Sequence, residues 1–207
     1  MEQSASYWDR AAHNYSQLPA VDEDADRKKL RITRDYLRPD MEILDLGCGT
    51  GSTAIALAPF VRRIDAIDFS TRMIDIAEAK AEAANIDNVV FDVSKIDHFV
   101  VPDQTFDAVL GLGILHLLSN KEEVIAKVHR WLKPGGTFIT STVCLGESMG
   151  YFKLIGPVCR LFGVIPLVKV FTARELATAI GEAGFDIDYE WQPKYGRSAF
   201  IVAKKVG

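Results

Sequence analysis

The sequence predicts an α/β fold built on a doubly wound, mostly parallel sheet. Two observations carry that expectation. From Glu42 onward short apolar runs alternate with helix-like segments, and after Gly184 the chain closes with two strand-like stretches that have no helix between them. Strands joined without a crossover helix pair antiparallel or part company, so the sheet is expected to end in one reversed strand. At 207 residues the chain is sized for one domain with a full core, residues 1–207, carrying an N-terminal helical arm over about 1–23 and a lid-like insertion over about 145–171.

The elements follow in order. Asp24 to Leu37 reads as a helix, broken by Arg38-Pro39-Asp40 before a first strand at Glu42–Leu46. Arg63–Ile67 is a second strand. Ser70 then caps a helix running to about Ala84, with Asn85 as its stop. Val89–Phe91 makes a short third strand, and Phe106–Leu110 a fourth that is apolar apart from Asp107, as a parallel strand covered on both faces should be. Ser119 with Glu122 forms a capping-box pattern for a helix ending near Trp131. Lys133-Pro134-Gly135-Gly136 is expected to turn the chain into strand five, Thr137–Val143. Thr172 and Glu175 make a second capping box for a helix that stops at Gly184, and Phe185–Trp191 and Ser198–Lys204 are the final strands.

The most informative stretch is Glu42–Ala58, EILDLGCGTGSTAIALA, in which a strand runs into Asp45, then Gly47, Gly49 and Gly51, and then a helix. Glycine lets a ligand approach the main chain, and free N–H groups at a helix start attract an anion. A dinucleotide fingerprint would need its third glycine at position 52, where this chain has Ser52. The glycines instead fall at every second residue. With Asp45 ahead of them they resemble the D/E-x-G-x-G-x-G motif of class I S-adenosylmethionine (SAM) methyltransferases. SAM carries an ammonium, a carboxylate and a sulfonium. An Asp beside a glycine turn suits that mixture, with the carboxylate facing the cations and turn amides taking the ligand's carboxylate.

Other strand ends add to the pattern. Asp68-Phe69-Ser70 ends strand two, 23 residues after Asp45, where a carboxylate can accept both ribose hydroxyls. Met73, one turn on, either covers an adenine face or packs in the core. Asp92-Val93 ends strand three, placed to read the adenine edge or to lie exposed in a loop. Gly111-Leu112-Gly113 ends strand four, small enough for a ligand to lie against the backbone.

Together these positions resemble the class I methyltransferases from roughly Arg31 to Lys205. The opening Tyr7-Trp8-Asp9-Arg10-Ala11-Ala12…Tyr15 and the stretch from Phe106 to Leu118 look like the small-molecule branch, with its quinone-type and natural-product enzymes. The resemblance implies a Rossmann-like sheet of seven strands in the order 3-2-1-4-5-7-6, and SAM as cofactor. It implies that Asp45, Gly47, Cys48, Gly49, Gly51, Asp68, Phe69, Met73, Asp92, Val93 and Gly111 bind SAM, with Tyr15 closing over it. Phe91-Asp92-Val93 departs from the family's usual Gly-Asp-Ala.

His116, just past strand four, is the best-placed base, with an ordinary pKa near 6.5. The bland alternative is a partly buried His among leucines that caps backbone groups. Phe152, Ile155, Cys159 and Phe162 fall on one helical stripe of the insertion and either seal the core or form an apolar acceptor pocket, with Phe152 and Phe162 as substrate-binding residues. No metal is expected, because the strand-four exit lacks carboxylates. Cys48, Cys144 and Cys159 stand far apart, which argues against a disulfide framework or a zinc site.

A net charge of −4 without a basic run argues against a nucleic-acid partner, and no apolar stretch reads as a signal peptide or membrane span. The expected protein is a cytoplasmic SAM-dependent methyltransferase that acts on a small, partly apolar molecule by direct displacement; a homodimer stays open. Two rivals remain. An NAD-dependent oxidoreductase is disfavoured by the glycine spacing and by the lack of a Tyr-x-x-x-Lys pair, since Tyr151 is followed by Ile155 and Tyr189 by Pro193 at that offset. A catalytically silent SAM-binding module leaves no signature to test in sequence.

Overall fold

Parallel strands buried on both faces need helices above and below, and the chain supplies them between strands. The computed structural model describes residues 2–17, 22–146, 169–193 and 198–206. In order these form α1 (Glu2–Gln17), α2 (Glu23–Asp35), β1 (Glu42–Leu46), α3 (Ser52–Leu57), β2 (Arg63–Asp68), α4 (Thr71–Ala83), β3 (Val89–Val93) and β4 (Phe106–Leu112). There follow α5 (Lys121–Trp131), β5 (Leu132–Val143), α6 (Ala173–Glu182), β6 (Phe185–Trp191) and β7 (Ser198–Lys205). The sheet has seven strands in the order β3-β2-β1-β4-β5-β7-β6. β7 runs antiparallel to both its neighbours, and every other pairing is parallel. This is the expected topology with its reversed strand.

Alternation along each strand divides the core in two. Leu44, Leu46, Val109, Phe138 and Ile201 point to the face packed by Val124, Ile125 and Val128 of α5 and Leu176 and Ile180 of α6. Ile43, Ile64, Leu110, Ile139 and Phe200 point to the other face, against Ile32 of α2 and Ala54 and Leu57 of α3. Side chains at the sheet centre, such as Leu44, Ile43, Val109 and Phe138, have no exposed surface. Parallel pairing of β1 with β2 and with β4 places their carboxyl ends along one edge of the sheet.

Several boundaries differ from the sequence expectation. β2, β3 and β4 each run on by one or two residues, to Asp68, Val93 and Leu112. These are positions where polar or glycine residues hide a continuing ladder. The expected turn at Lys133–Gly136 lies inside β5 instead. Leu132 already pairs with Phe106, the register slips before Ala108 pairs Thr137, and Gly135 takes φ of 73° within this bulged stretch. Lys133 Nζ also donates to Asp107 Oδ2 at 2.9 Å, which holds the strand down across the bulge.

Helix caps were mixed. Thr172 and Glu175 do form a reciprocal capping box, and Ser70 accepts from the Met73 N–H to cap α4. The Ser119–Glu122 box does not form. The N-cap is Asn120, whose side chain makes no cap bond and donates instead to Asp97 Oδ1 and Glu123 Oε2 at 3.0 and 3.1 Å. That bond anchors α5 to the loop after β3, a tertiary demand that outweighed the local one. Asn85 takes φ of 53° just past α4, as a helix stop should.

Candidate functional site

The site is assembled at the carboxyl ends of β1, β2, β3 and β4. Between β1 and α3 the chain turns through Gly47, Gly49 and Gly51, all at positive φ. The turn is tied to the next strand, since the N–H groups of Gly47 and Cys48 both donate to Ile67 O, at 2.8 and 3.0 Å. Gly51 is needed for space as well as for φ. A Cβ there would lie 2.8 Å from Ala77 Cβ and 2.9 Å from the Phe91 ring. Gly49 is different, because at φ of 55° its only near neighbour within 4 Å is Tyr15 Cε1, at 4.0 Å. Tyr15 thus lies beside the open side of the turn. Its ring is 49% exposed, while its hydroxyl is pushed upward in pKa by burial and then by Asp26 and Asp68.

Asp68 ends β2 almost buried, at 8% exposure. Its Oδ2 accepts from the Gly49 N–H at 3.0 Å and its Oδ1 from the Ser70 N–H at 2.9 Å, so one carboxylate locks the glycine turn to the first turn of α4. Burial raises its pKa, and the backbone N–H bonds oppose that rise. Asp45 is deeper, at 2% exposure, and burial, followed by the charge of Asp68, pushes its carboxyl up to about 7. Two carboxyls therefore share the mouth of the turn.

Of the turn amides expected to hold an anionic ligand group, several are bonded within the protein. Those of Gly47 and Cys48 donate to Ile67 O, that of Gly49 to Asp68, and that of Gly51 to Cys48 O. Four of the turn's donors are engaged inside the protein. The sequence could not show this because the bonding partners lie on β2 and within the turn itself.

The remaining residues fall as follows. Phe69 is half-buried beside Asp68, and Asp92 and Val93 are exposed on the edge strand, in register with Ile67 and Asp68. Met73 is 2% exposed, so in this structure it packs rather than presenting a surface. Cys48 is half-buried, its thiol pKa raised by burial. Gly111 is packed: a Cβ there would sit 3.3 Å from Phe138, and its carbonyl accepts from Thr140 Oγ1 at 2.9 Å. The open glycine at this exit is Gly113, with φ of 80° and nothing within 4 Å of a Cβ position.

His116 lies in a 3-10 turn at Leu115–Leu117. Its pKa is not the ordinary one expected from sequence, since burial pushes it down to about 4. The ring is neutral at physiological pH and a weak base. Its Nδ1 is buried without a hydrogen-bond partner, so that nitrogen caps no backbone group. Its carbonyl instead accepts from the Lys169 N–H at 2.7 Å, while Gly146 N–H donates to Phe171 O at 2.9 Å. Both ends of the expected lid-like insertion therefore stand beside this turn. Phe152 and Phe162 lie outside the described residues.

Two contributors escaped the sequence reading. Asp9 of α1 accepts from Ser70 Oγ at 2.6 Å and from Arg72 N at 3.4 Å, docking the arm on α4 beside Asp68. Ile114 fills the place of a side chain at Gly47, where a Cβ would lie 2.7 Å from its Cδ1. An acidic residue on an amphipathic arm and an apolar residue in a loop carry no sequence signal of such contacts. Among the described residues no cluster of three or more His, Cys, Asp or Glu could hold a metal ion, and no helix is long and apolar enough to cross a membrane.

A glycine turn at the carboxyl edge of a parallel sheet, with buried carboxyls at the ends of β1 and β2, is the arrangement of a ligand-binding doubly wound α/β protein. The chain belongs to the methyltransferase-domain family, whose profile matches residues 37–176. It is 34% identical over 201 residues to the demethylmenaquinone methyltransferase of Geobacillus kaustophilus, covering 81% of this chain and 82% of that one. It is 29% identical over 110 residues to the uncharacterized methyltransferase YcgJ of Bacillus subtilis, covering 53% of this chain and 44% of that one. Against that protein and the malonyl-[acyl-carrier protein] O-methyltransferase of Halalkalibacterium halodurans, of which 53% is covered, the chain spans about half the relative's length. The crystal structure of geranyl diphosphate C-methyltransferase from Streptomyces coelicolor A3(2) has the same fold, with a TM-score of 0.73 at 17% identity over 89% of this chain and 79% of that one.

Proposed function

We propose that this chain is a SAM-dependent methyltransferase acting on a small, partly apolar molecule by direct displacement. The observation that carries the reading is the pair of buried carboxyls, Asp45 and Asp68, at the glycine turn of a methyltransferase-domain chain. Asp68, already fixed by two N–H groups, has lone pairs left for vicinal hydroxyls. Asp45 meets the cationic end, and Tyr15 covers the turn. When bound, SAM supplies a methyl group activated by its sulfonium. The protein's part is to orient the acceptor in line and exclude water. The relative named for demethylmenaquinone supports an acceptor with apolar bulk.

Incubation with methyl-labelled SAM and a metabolite extract, in chelator, tests this. Label should move to a small organic-extractable product. SAM binding with no transfer from any extract would leave the silent-module reading, and absence of binding would end both. The finer readings are part of the same proposal. The chain is cytoplasmic, binds no nucleic acid, in keeping with its net charge of −4, and a homodimer is to be tested by its mass in solution. Phe152 and Phe162 form the acceptor wall, so their alanine variants should change acceptor KM at constant SAM affinity.

His116 is assigned to the acceptor side as a neutral hydrogen-bonding group. With its pKa near 4 it does not titrate between pH 6 and 8. His116→Gln should therefore shift acceptor KM while leaving the shape of the kcat profile over that range as in wild type. A lost inflection near pH 6.5 in the variant would restore the base.

Asp45 makes cofactor binding depend on pH. Its raised pKa means the ligand-free protein holds a proton there below about pH 7, and a cation at the site favours the ionised form. SAM affinity should rise from pH 5.5 to pH 8, with net proton release on binding near neutral pH, as calorimetry in buffers of different ionisation enthalpy would show. Asp45→Asn should abolish most of that release. Equal release in the variant would place the proton elsewhere.

A further inference from the structure

The glycine turn rests on α4 at three places. At the first turn of α4, Asp68 joins the Gly49 and Ser70 N–H groups. Further along, Ala77 fills the space beside Gly51. At the last turn, Lys80 Nζ donates to Thr50 Oγ1 at 2.9 Å and to Ser52 Oγ at 3.2 Å. Ala77 and Lys80 are three residues apart and share one face of the helix. Among the described residues no carboxylate pairs with Lys80, and burial lowers its pKa. Lys80 thus links the far end of α4 to both sides of Gly51 through two hydroxyls.

What Lys80 holds is the middle of the turn, between its last two glycines. Thr50 is 5% exposed and stands between Gly49 and Gly51, at φ of 55° and 72°. Glycines on both sides leave the orientation of the Thr50 peptides free of side-chain sterics. The Gly51 N–H bond to Cys48 O fixes the peptide after Thr50, and the Lys80 tether adds a restraint on the Thr50 side chain itself.

We propose that Lys80 is a positioning residue for cofactor binding, acting through Thr50 and Ser52 to keep the segment between Gly49 and α3 in its ligand-ready form. This rests on the SAM-binding reading above. Lys80 does not touch the ligand; it lowers the cost of ordering the turn when the ligand arrives.

The test is calorimetric titration of the full chain with SAM and with S-adenosylhomocysteine, alongside thermal unfolding. Lys80→Met and Thr50→Val should each raise Kd about tenfold, the effect of one charge-assisted hydrogen bond. The double variant should be no weaker than the weaker single one, because both cut the same link. Lys80→Arg should recover most of the affinity, and Tm should stay within about 2 °C of wild type throughout. Unchanged Kd in Lys80→Met and Thr50→Val, additive losses, or losses that only track Tm without recovery in Lys80→Arg would each reduce Lys80 to a strut between helices. If Lys80→Met does not fold, Thr50→Val and Lys80→Arg decide by the same criteria. If wild type binds neither ligand, the functional reading fails before this one is reached.

Discussion

Replacing Asp68 with alanine should weaken SAM binding by about 100-fold or more if it accepts the ribose hydroxyls as proposed. Two hydrogen bonds from ligand hydroxyls to a charged acceptor are worth about 1.5 to 3 kcal/mol each. The same substitution also frees the N–H groups of Gly49 and Ser70, which now end on this carboxylate at 3.0 and 2.9 Å. The turn and the start of α4 lose their common anchor, so Tm should fall as well. Asp68→Asn separates the two contributions, because it keeps an acceptor for one N–H while removing the charge. Its affinity should lie between those of wild type and Asp68→Ala. Calorimetry that finds Asp68→Ala binding SAM as wild type does removes the ribose assignment.

Gly51→Val should be the most destabilising of the turn substitutions. The residue needs φ of 72°, and any Cβ there meets Ala77 Cβ at 2.8 Å and the Phe91 ring at 2.9 Å. Left-handed backbone in a branched residue costs about 1 to 3 kcal/mol, and overpacking costs about as much again. For a domain of this size the sum corresponds to a Tm lower by about 5 to 15 °C. Gly49→Ala is the contrast, since its φ of 55° carries a strain of about 1 kcal/mol but nothing crowds the new methyl group. The ranking is the prediction: thermal unfolding in which Gly49→Ala loses more than Gly51→Val would show that the turn is held differently.

The two glycines illustrate how unevenly the site could be read from sequence. Their spacing after a strand and before a helix identified the turn, because strand, turn and helix are local and each leaves its residue preference in the chain. Which glycine is crowded and which is open depended on Ala77, Phe91 and Tyr15, brought there from α4, β3 and α1. Asp68 shows the same division. Its offset from Asp45 marked it, yet that it fastens the turn to α4 appears only once β2 lies beside β1.

The sequence by itself determined the alternation of strands and helices, the reversed final strand and the acidic-glycine signature, since all of these are written in short-range periodicity and in the lack of a helix between β6 and β7. Tertiary structure alone decided the protonation of the site. Asp45 and His116 have ordinary pKa values as residue types; burial takes one up to about 7 and the other down to about 4. It also decided that four of the turn's amides are engaged with Ile67, Asp68 and Cys48, and that Asp9 docks the N-terminal arm on α4. The reason is physical: desolvation, charge coupling and hydrogen-bond competition depend on what lies within a few ångströms, and for these residues most of those neighbours are distant in the chain.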